Sequence, residues 1–207
     1  MKRGAERGPY AKTADVRRKI VEACMEAFAA TGFQATTMAE VARRAGISHN
    51  GLLHHFPTKE DLLLAVIERR DTQIAATLAG AGAPDAEADP REILASSIRA
   101  TAPEKWSVAD LELDAVLSGE AAVAEHPAHA AIAERYEGIR HFYARLLGQL
   151  SDQGRLRTDG GDPDALATMF LALAEGLRQQ WLFDKDGVDV ASSMDLFFDL
   201  IVTDEQS

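Results

Sequence analysis

The sequence predicts an all-α protein: an N-terminal three-helix bundle with a helix-turn-helix, followed by a larger C-terminal helical domain. Three observations lead there. Apolar residues recur at helical spacing through most of the 207 residues, and no segment alternates as a half-buried strand would. Capping residues (Thr, Ser, Asp) and breakers (Gly, Pro) stand between these periodic segments. Charge is split along the chain: residues 1–60 hold ten Lys/Arg against six Asp/Glu, a balance of +4, whereas 61–207 hold 12 against 27, a balance of −15. The net charge of −11 would by itself argue against a polyanionic partner; its distribution points one end of the chain toward one.

Residues 1–12 carry Lys2, Arg3, Arg7 and Lys12 among Gly4, Gly8 and Pro9 with no apolar period, which predicts a solvated tail giving modest electrostatic help. Thr13 stands as N-cap of a first helix over about 14–30, ending before Gly32; Ile20, Phe28 and Phe33 would brace the helix-turn-helix. The next stretch, Thr36 to Lys59, reads TTMAEVARRAGISHNGLLHHFPTK. Thr37 and Glu40 have capping-box spacing, so the threonine hydroxyl accepts from an early N–H while the glutamate reaches back. Met38, Val41, Ala42 and Ala45 make one apolar stripe, and Gly46 can close the helix in the left-handed conformation. Ile47 plugs the corner, and Ser48 caps a second helix from about His49 to His54. A helix, a tight turn and a helix form the unit that lays its second helix in the DNA major groove.

The competing reading is a plain helical hairpin inside a bundle. Gly51 favours it, since a glycine within so short a helix costs about 1 kcal/mol relative to alanine. His49, Asn50, Gly51 and His54 weigh the other way: a core helix would show less polarity, and Leu52 with Phe56 suffices for packing.

The run Gly32-Phe33, Thr36-Thr37, Val41-Ala42, Ala45-Gly46-Ile47-Ser48, Leu52, Phe56, Lys59-Glu60 and Leu62-Leu63 resembles, in order and spacing, the DNA-binding domain of the tetracycline-repressor (TetR) family. The resemblance implies an all-α homodimer that represses transcription from a double-stranded DNA operator and is released by a small-molecule effector. Residues 1–60 would then be an N-terminal arm and DNA-binding domain, and 61–207 a C-terminal effector-binding and dimerisation domain. It also implies roles. Thr37 and Lys59, with Thr36 and Arg43 or Arg44, would hold phosphates. Ser48, His49, Asn50, Gly51 and His54 would face bases, Asn50 being suited to adenine. The sequence departs from the family at Leu53, where a phosphate-binding tyrosine is usual, and at Asn50 and Gly51; Leu53 would touch a thymine methyl instead. His55 is expected on the packing or phosphate side.

Beyond the recognition helix, Thr58 with Asp61 starts a helix that continues through Leu62, Leu63, Val66 and Ile67 to about Leu78, its positive end and Lys59 suiting a phosphate. Ala79–Asp89 has no period and reads as a linker. Asp89-Pro90-Arg91-Glu92 restarts a helix, giving helices of roughly 91–102 and 104–124 broken at Pro103, with Trp106, Leu113 and Leu117 on one face of the second. Glu125-His126-Pro127-Ala128-His129 invites a metal reading, but the proline breaks helical phase and no third ligand is fixed by spacing, so a helix-start turn is expected. Helices over about 128–153, 163–183 and 191–202 complete the chain.

The last two helices are apolar over more than one stripe and need partners beyond their own chain. Two copies of the pair across a two-fold axis would form a four-helix bundle, with Leu166, Phe170, Leu173, Leu177, Trp181, Met194, Phe197, Phe198 and Ile201 as candidate interface residues. A dimer would also put two recognition helices in successive major grooves, reading a palindrome. Trp106, Leu117, Tyr136, Tyr143, Met169, Phe170 and Glu175 are candidates to line an effector pocket, with ordinary core an equally good reading of each one singly.

No nucleophile–base–orienter set, phosphate-cradling loop or zinc motif occurs, so neither catalysis nor a cofactor is expected. The single cysteine, Cys24, excludes a disulfide framework and reads as a small buried thiol. No apolar run approaches the roughly 20 residues of a membrane span, and the N-terminus has no secretory h-region; a cytoplasmic protein without a membrane partner is expected. Two rivals stand beside the effector-released repressor: a ligand-independent DNA-binding regulator, and a helical small-molecule-binding or enzymatic dimer with a vestigial helix-turn-helix.

Overall fold

A computed structural model describes residues 9–80, 89–157 and 161–203, the backbone alone at 9–12 and 78–80. Among the described residues the chain is all-α, as expected: nine helices, one 3-10 turn, and a single antiparallel bridge between Leu156 and Val202 in place of any strand. The helices are α1 (Pro9–Ala35), α2 (Met38–Ala45), α3 (His49–His55), α4 (Lys59–Gly80), α5 (Pro90–Thr101), α6 (Val108–Ala121), α7 (His129–Asp152), α8 (Pro163–Phe183) and α9 (Val190–Ile201). They pack as two compact units. One, here the head, gathers Met1–Arg70 and Leu113–His129; the other, the body, gathers Asp71–Glu112 and Ala130–Ser207. The boundary expected after residue 60 falls within α4, and the head also takes in the distant segment that holds most of α6.

Two elements differ from expectation. Helix α1 starts at Pro9 rather than near residue 14, since proline at a first helical position lacks only an N–H that would have no partner there; Thr13 therefore lies inside the helix instead of capping it. Residues 1–8 of the expected tail lie outside the described residues, as do 81–88 of the expected linker. The helix expected over 104–124 is shorter at both ends: Pro103–Lys105 make a 3-10 turn, and α6 begins at Val108, where the Asp110 N–H bonds the Ser107 hydroxyl at 3.1 Å. Trp106 thus sits in the turn, out of helical phase with Leu113 and Leu117, and its indole N–H donates to the Ala100 carbonyl at 2.8 Å.

In the head, Ile20, Phe28 and Phe33 of α1 are buried, as are Val41, Ala42, Leu52 and Phe56, and α1 packs against α2. Cys24 is fully buried there, and burial pushes its thiol up to about 12. Arg70 is buried too; its guanidinium forks onto Asp114 at 3.0 and 2.6 Å, which satisfies a charge that would otherwise be costly inside.

The body core joins Leu94 and Ile98 of α5, Tyr143, Leu146, Leu147 and Leu150 of α7, Leu166, Phe170 and Ala174 of α8, and Met194, Phe198 and Ile201 of α9. This alters the interface expectation. Leu166, Phe170, Met194, Phe198 and Ile201 are buried in the chain's own core, with Leu173, Leu177, Trp181 and Phe197 partly buried against it. The apolar side chains of α8 and α9 that face solvent are others: Met169 at 56%, Phe183 at 86%, and Leu196 and Leu200 at 61% each. Both helices carry two apolar stripes, and the intrachain core took the one that the sequence assigned to the partner.

Candidate nucleic-acid interface

Helix α2 is built by local chemistry. Thr37, extended at φ −111 and ψ 153, accepts the Glu40 N–H on its hydroxyl at 3.2 Å. The reciprocal half of the expected capping box is replaced: the Glu40 carboxylate takes Arg43 at 2.7 and 2.9 Å and Arg44 at 2.7 Å. These two guanidiniums, Arg43 first, hold the Glu40 carboxyl down at about 2, so one carboxylate faces two guanidiniums along α2. Gly46, at φ 70 and ψ 31, closes the helix, and Ile47 then bonds the Ala42 carbonyl at 3.0 Å.

Ser48 caps α3 by accepting the Gly51 N–H at 3.1 Å. A Cβ at position 51 would lie 3.2 Å from that hydroxyl, tighter than ordinary contact, so the glycine leaves the cap room. Leu52 and Phe56 are buried, at 0% and 1%, and pin the helix to the head. That rotates Ser48, His49, Asn50 and His54 outward into exposure, with Gly51, Leu53 and His55 half-buried. Arg17 of α1 stabilises the other end: its guanidinium donates to the His55 carbonyl at 3.1 Å and lies 4.0 Å over the Phe56 ring. A cation there meets both an unpaired terminal carbonyl and the negative end of the helix dipole.

Two expected phosphate ligands are placed differently. Thr36 is 3% exposed, and its hydroxyl donates into the turn before α2, reaching the Gly32 carbonyl at 2.7 Å. The Lys59 ammonium donates to the carbonyls of Phe33, Gln34 and Thr36 at 2.9, 3.3 and 3.1 Å and rides 4.3 Å over the Phe33 ring. Its three protons are thereby matched, so it ties α4 to the turn rather than pointing outward. The start of α4 carries a complete capping box, with the Thr58 N–H on the Asp61 carboxylate at 3.1 Å and the Asp61 N–H on the Thr58 hydroxyl at 3.0 Å. Thr37, Arg43 and Arg44 remain on the exposed surface.

From α6, Glu120 accepts the N–H groups of Phe33 and Gln34 at 2.7 and 3.4 Å. Neither Glu120 nor Arg17 was among the sequence candidates. Each acts on backbone dozens of residues away, and no local pattern signals such a contact. The two histidines after α6 have separate partners: His126 Nδ1 accepts the Ala128 N–H at 3.2 Å, while His129 Nδ1 lies 2.8 Å from the Ala121 carbonyl.

Of the seven candidate effector-lining residues, one belongs to the head and six to the body. Leu117 is buried in the head. In the body, Tyr143 and Phe170 pack at 4.4 Å in the core, where burial raises the Tyr143 hydroxyl above its ordinary value. Met169 faces solvent, and Trp106 is tied to α5. Tyr136 and Glu175 do form a direct polar pair, the phenol donating to the half-buried carboxylate at 3.0 Å.

Comparison with known proteins agrees with this architecture. A family model described as bacterial regulatory proteins, tetR family, matches residues 20–66, and one for the C-terminal domain of BetI-type transcriptional repressors matches residues 90–202, more than half of the chain. The regulator RutR of Escherichia coli K12 is 36% identical over 53 residues, 26% of this chain and 25% of its own length, so the chain matches about a quarter of that relative. BetI of Rhizobium meliloti is 39% identical over 90 residues, 41% of each chain, and TtgR of Pseudomonas putida 24% over 198 residues, 89% of each. Among solved structures, a transcriptional regulator from Saccharomonospora viridis in complex with choline shares the fold at TM-score 0.75 and 24% identity, covering 92% of this chain and 99% of its own. SmeT in complex with triclosan shares it at 0.72 and 20%, covering 93% and 94%. Carrying a helix-turn-helix and a C-terminal helical domain that both match family models, the chain belongs to the TetR family of DNA-binding transcriptional regulators.

Proposed function

We propose that this protein is a cytoplasmic repressor that binds a palindromic operator as a homodimer and leaves it when a small molecule occupies the C-terminal domain. In this reading residues 1–60 read DNA, and 61–207 carry effector binding and dimerisation. The observation that carries it is the orientation of α3: Leu52 and Phe56 are buried while Ser48, His49, Asn50 and His54 stand exposed on one short helix. Asn50 is suited to a bidentate bond with adenine, and Thr37, Arg43 and Arg44 to flanking phosphates. Lys59, with its ammonium turned inward, acts by holding the head in shape.

The dimer rests on Met169, Phe183, Leu196 and Leu200, large apolar side chains exposed on α8 and α9. Face to face with their copies they would make the bundle that spaces two recognition helices about 34–36 Å apart. For the effector, the Tyr136–Glu175 pair is the part of the body best fitted to an organic cation, combining a carboxylate with an aromatic ring; the S. viridis regulator solved with choline supports looking among such ligands. A regulator that answers no small molecule is the second reading, favoured by the close packing of Tyr143 on Phe170 in the body core. A thermal-shift screen against organic cations separates the two.

Selection of duplexes from a random pool tests the main reading. Recovery of a two-fold-symmetric sequence is expected, with Asn50→Ala losing about 1–3 kcal/mol on that sequence and little on random duplex. Equal losses on both would refute the role given to Asn50.

A further inference from the structure

Helix α1 is broken at Gly32 (φ 76, ψ 171), and the stretch from there to α2, here the turn, is gripped by two opposite charges that both take hold of backbone. The Glu120 carboxylate accepts from the Phe33 and Gln34 N–H groups at 2.7 and 3.4 Å, while the Lys59 ammonium donates to the carbonyls of Phe33, Gln34 and Thr36. Gly32 makes this possible twice over. Its φ of 76° is one that L side chains rarely adopt, and a Cβ there would lie 2.5 Å from Glu120 Oε1. The Phe33 ring is 3% exposed, with Phe28 at 5.6 Å and His126 at 5.0 Å from it. Thr37, the cap of α2, lies three residues after Gln34, so the direction in which the helix-turn-helix leaves α1 is set in this turn.

Resting on the DNA-reading role above, we propose that Glu120 is a positioning residue for operator recognition. Its carboxylate fixes the turn at 32–37 and hence the attitude of α3. A carboxylate bonded to backbone N–H groups is well suited to this, being stronger than a neutral acceptor and sensitive to small shifts.

The test uses the full chain and the duplex that the wild-type protein selects. Glu120→Ala should bind it about tenfold more weakly and Glu120→Gln, keeping one acceptor, about threefold. Affinity for random duplex and its salt dependence should stay within about twofold, because no phosphate contact is lost. Hydrogen exchange at the Phe33 and Gln34 amides should accelerate in both variants. A merely structural role would lower operator and random-duplex affinity together, in step with the melting temperature, and would overturn the proposal. So would operator affinity within about twofold of wild type, or unchanged protection of the two amides. If Glu120→Ala fails to fold, Glu120→Gln is judged by the same readouts. Failure of the wild-type chain to select any duplex would overturn the DNA-binding reading and this proposal with it, whereas the other outcomes strike the proposal alone.

Discussion

The head and the body use charge and apolar surface in opposite ways. In the head, Arg17, Lys59 and Glu120 each turn inward to bond backbone groups, and the surface left over is the polar face of α3. In the body the interior is an apolar cluster with the aromatic pair Tyr143 and Phe170 inside it, and the surface left over on α8 and α9 is apolar. The head therefore adds, to its own buried apolar core, directional bonds that fix the geometry of its turns. The body is held chiefly by burial, and it leaves Met169, Phe183, Leu196 and Leu200 exposed on α8 and α9.

The sharpest way to break this comparison is Phe170→Ala. At 2% exposure and 4.4 Å from Tyr143, the ring is core, and its removal should cost about 3–5 kcal/mol in denaturant unfolding. A loss under about 1 kcal/mol would return Phe170 to the interface that its helical phase suggests.

Second in size is the paired change Leu196→Glu with Leu200→Glu, at positions 61% exposed. Light scattering should show the mass of one chain instead of two, with an unchanged helical spectrum and operator binding weakened about hundredfold, since one recognition helix reads too few base pairs. A dimer that survives both glutamates would mean that another face carries the interface.

Lys59→Met sharpens the account of the head. It removes three bonds to carbonyls while keeping the stem, and should destabilise the head by about 1–3 kcal/mol. Affinity for random duplex, measured where the variant is fully folded, should keep its salt slope; a slope lower by about one would restore Lys59 to the phosphates.

The smallest effect concerns Glu40. Bonds from Arg43 and Arg44 depress its carboxyl from 4.5 to about 2, so its stabilising contribution is complete above pH 4.5 and fades as pH falls toward 2. Carboxyl NMR should titrate this group near 2, and Arg43→Ala with Arg44→Ala should bring the midpoint back toward 4.5.

Much of this fold was legible because its determinants are local. Thr37, Ser48, Thr58 with Asp61, Asp89 and Asp162 each cap the helix after them, and Gly46 takes the left-handed conformation its position suggested. The features that could not be read depend on contacts distant in sequence. Glu120 meets Phe33 across 87 residues, and Arg17 meets His55 across 38. Periodicity showed that Lys59 lies at a helix start but not that its ammonium turns inward onto a turn more than 20 residues earlier. On α8 and α9, two apolar stripes of similar strength gave no means of telling Phe170 from Met169 until α5 and α7 were packed against one of them.

The buried Cys24 adds an internal clock to the molecule. With its sulfur walled off and its proton held to about 12, a chromogenic thiol reagent finds nothing to attack while α1 is seated. Labelling therefore advances only in moments when the reading end comes apart, and its rate, set beside the unfolding of the remainder, times the two halves of one chain separately.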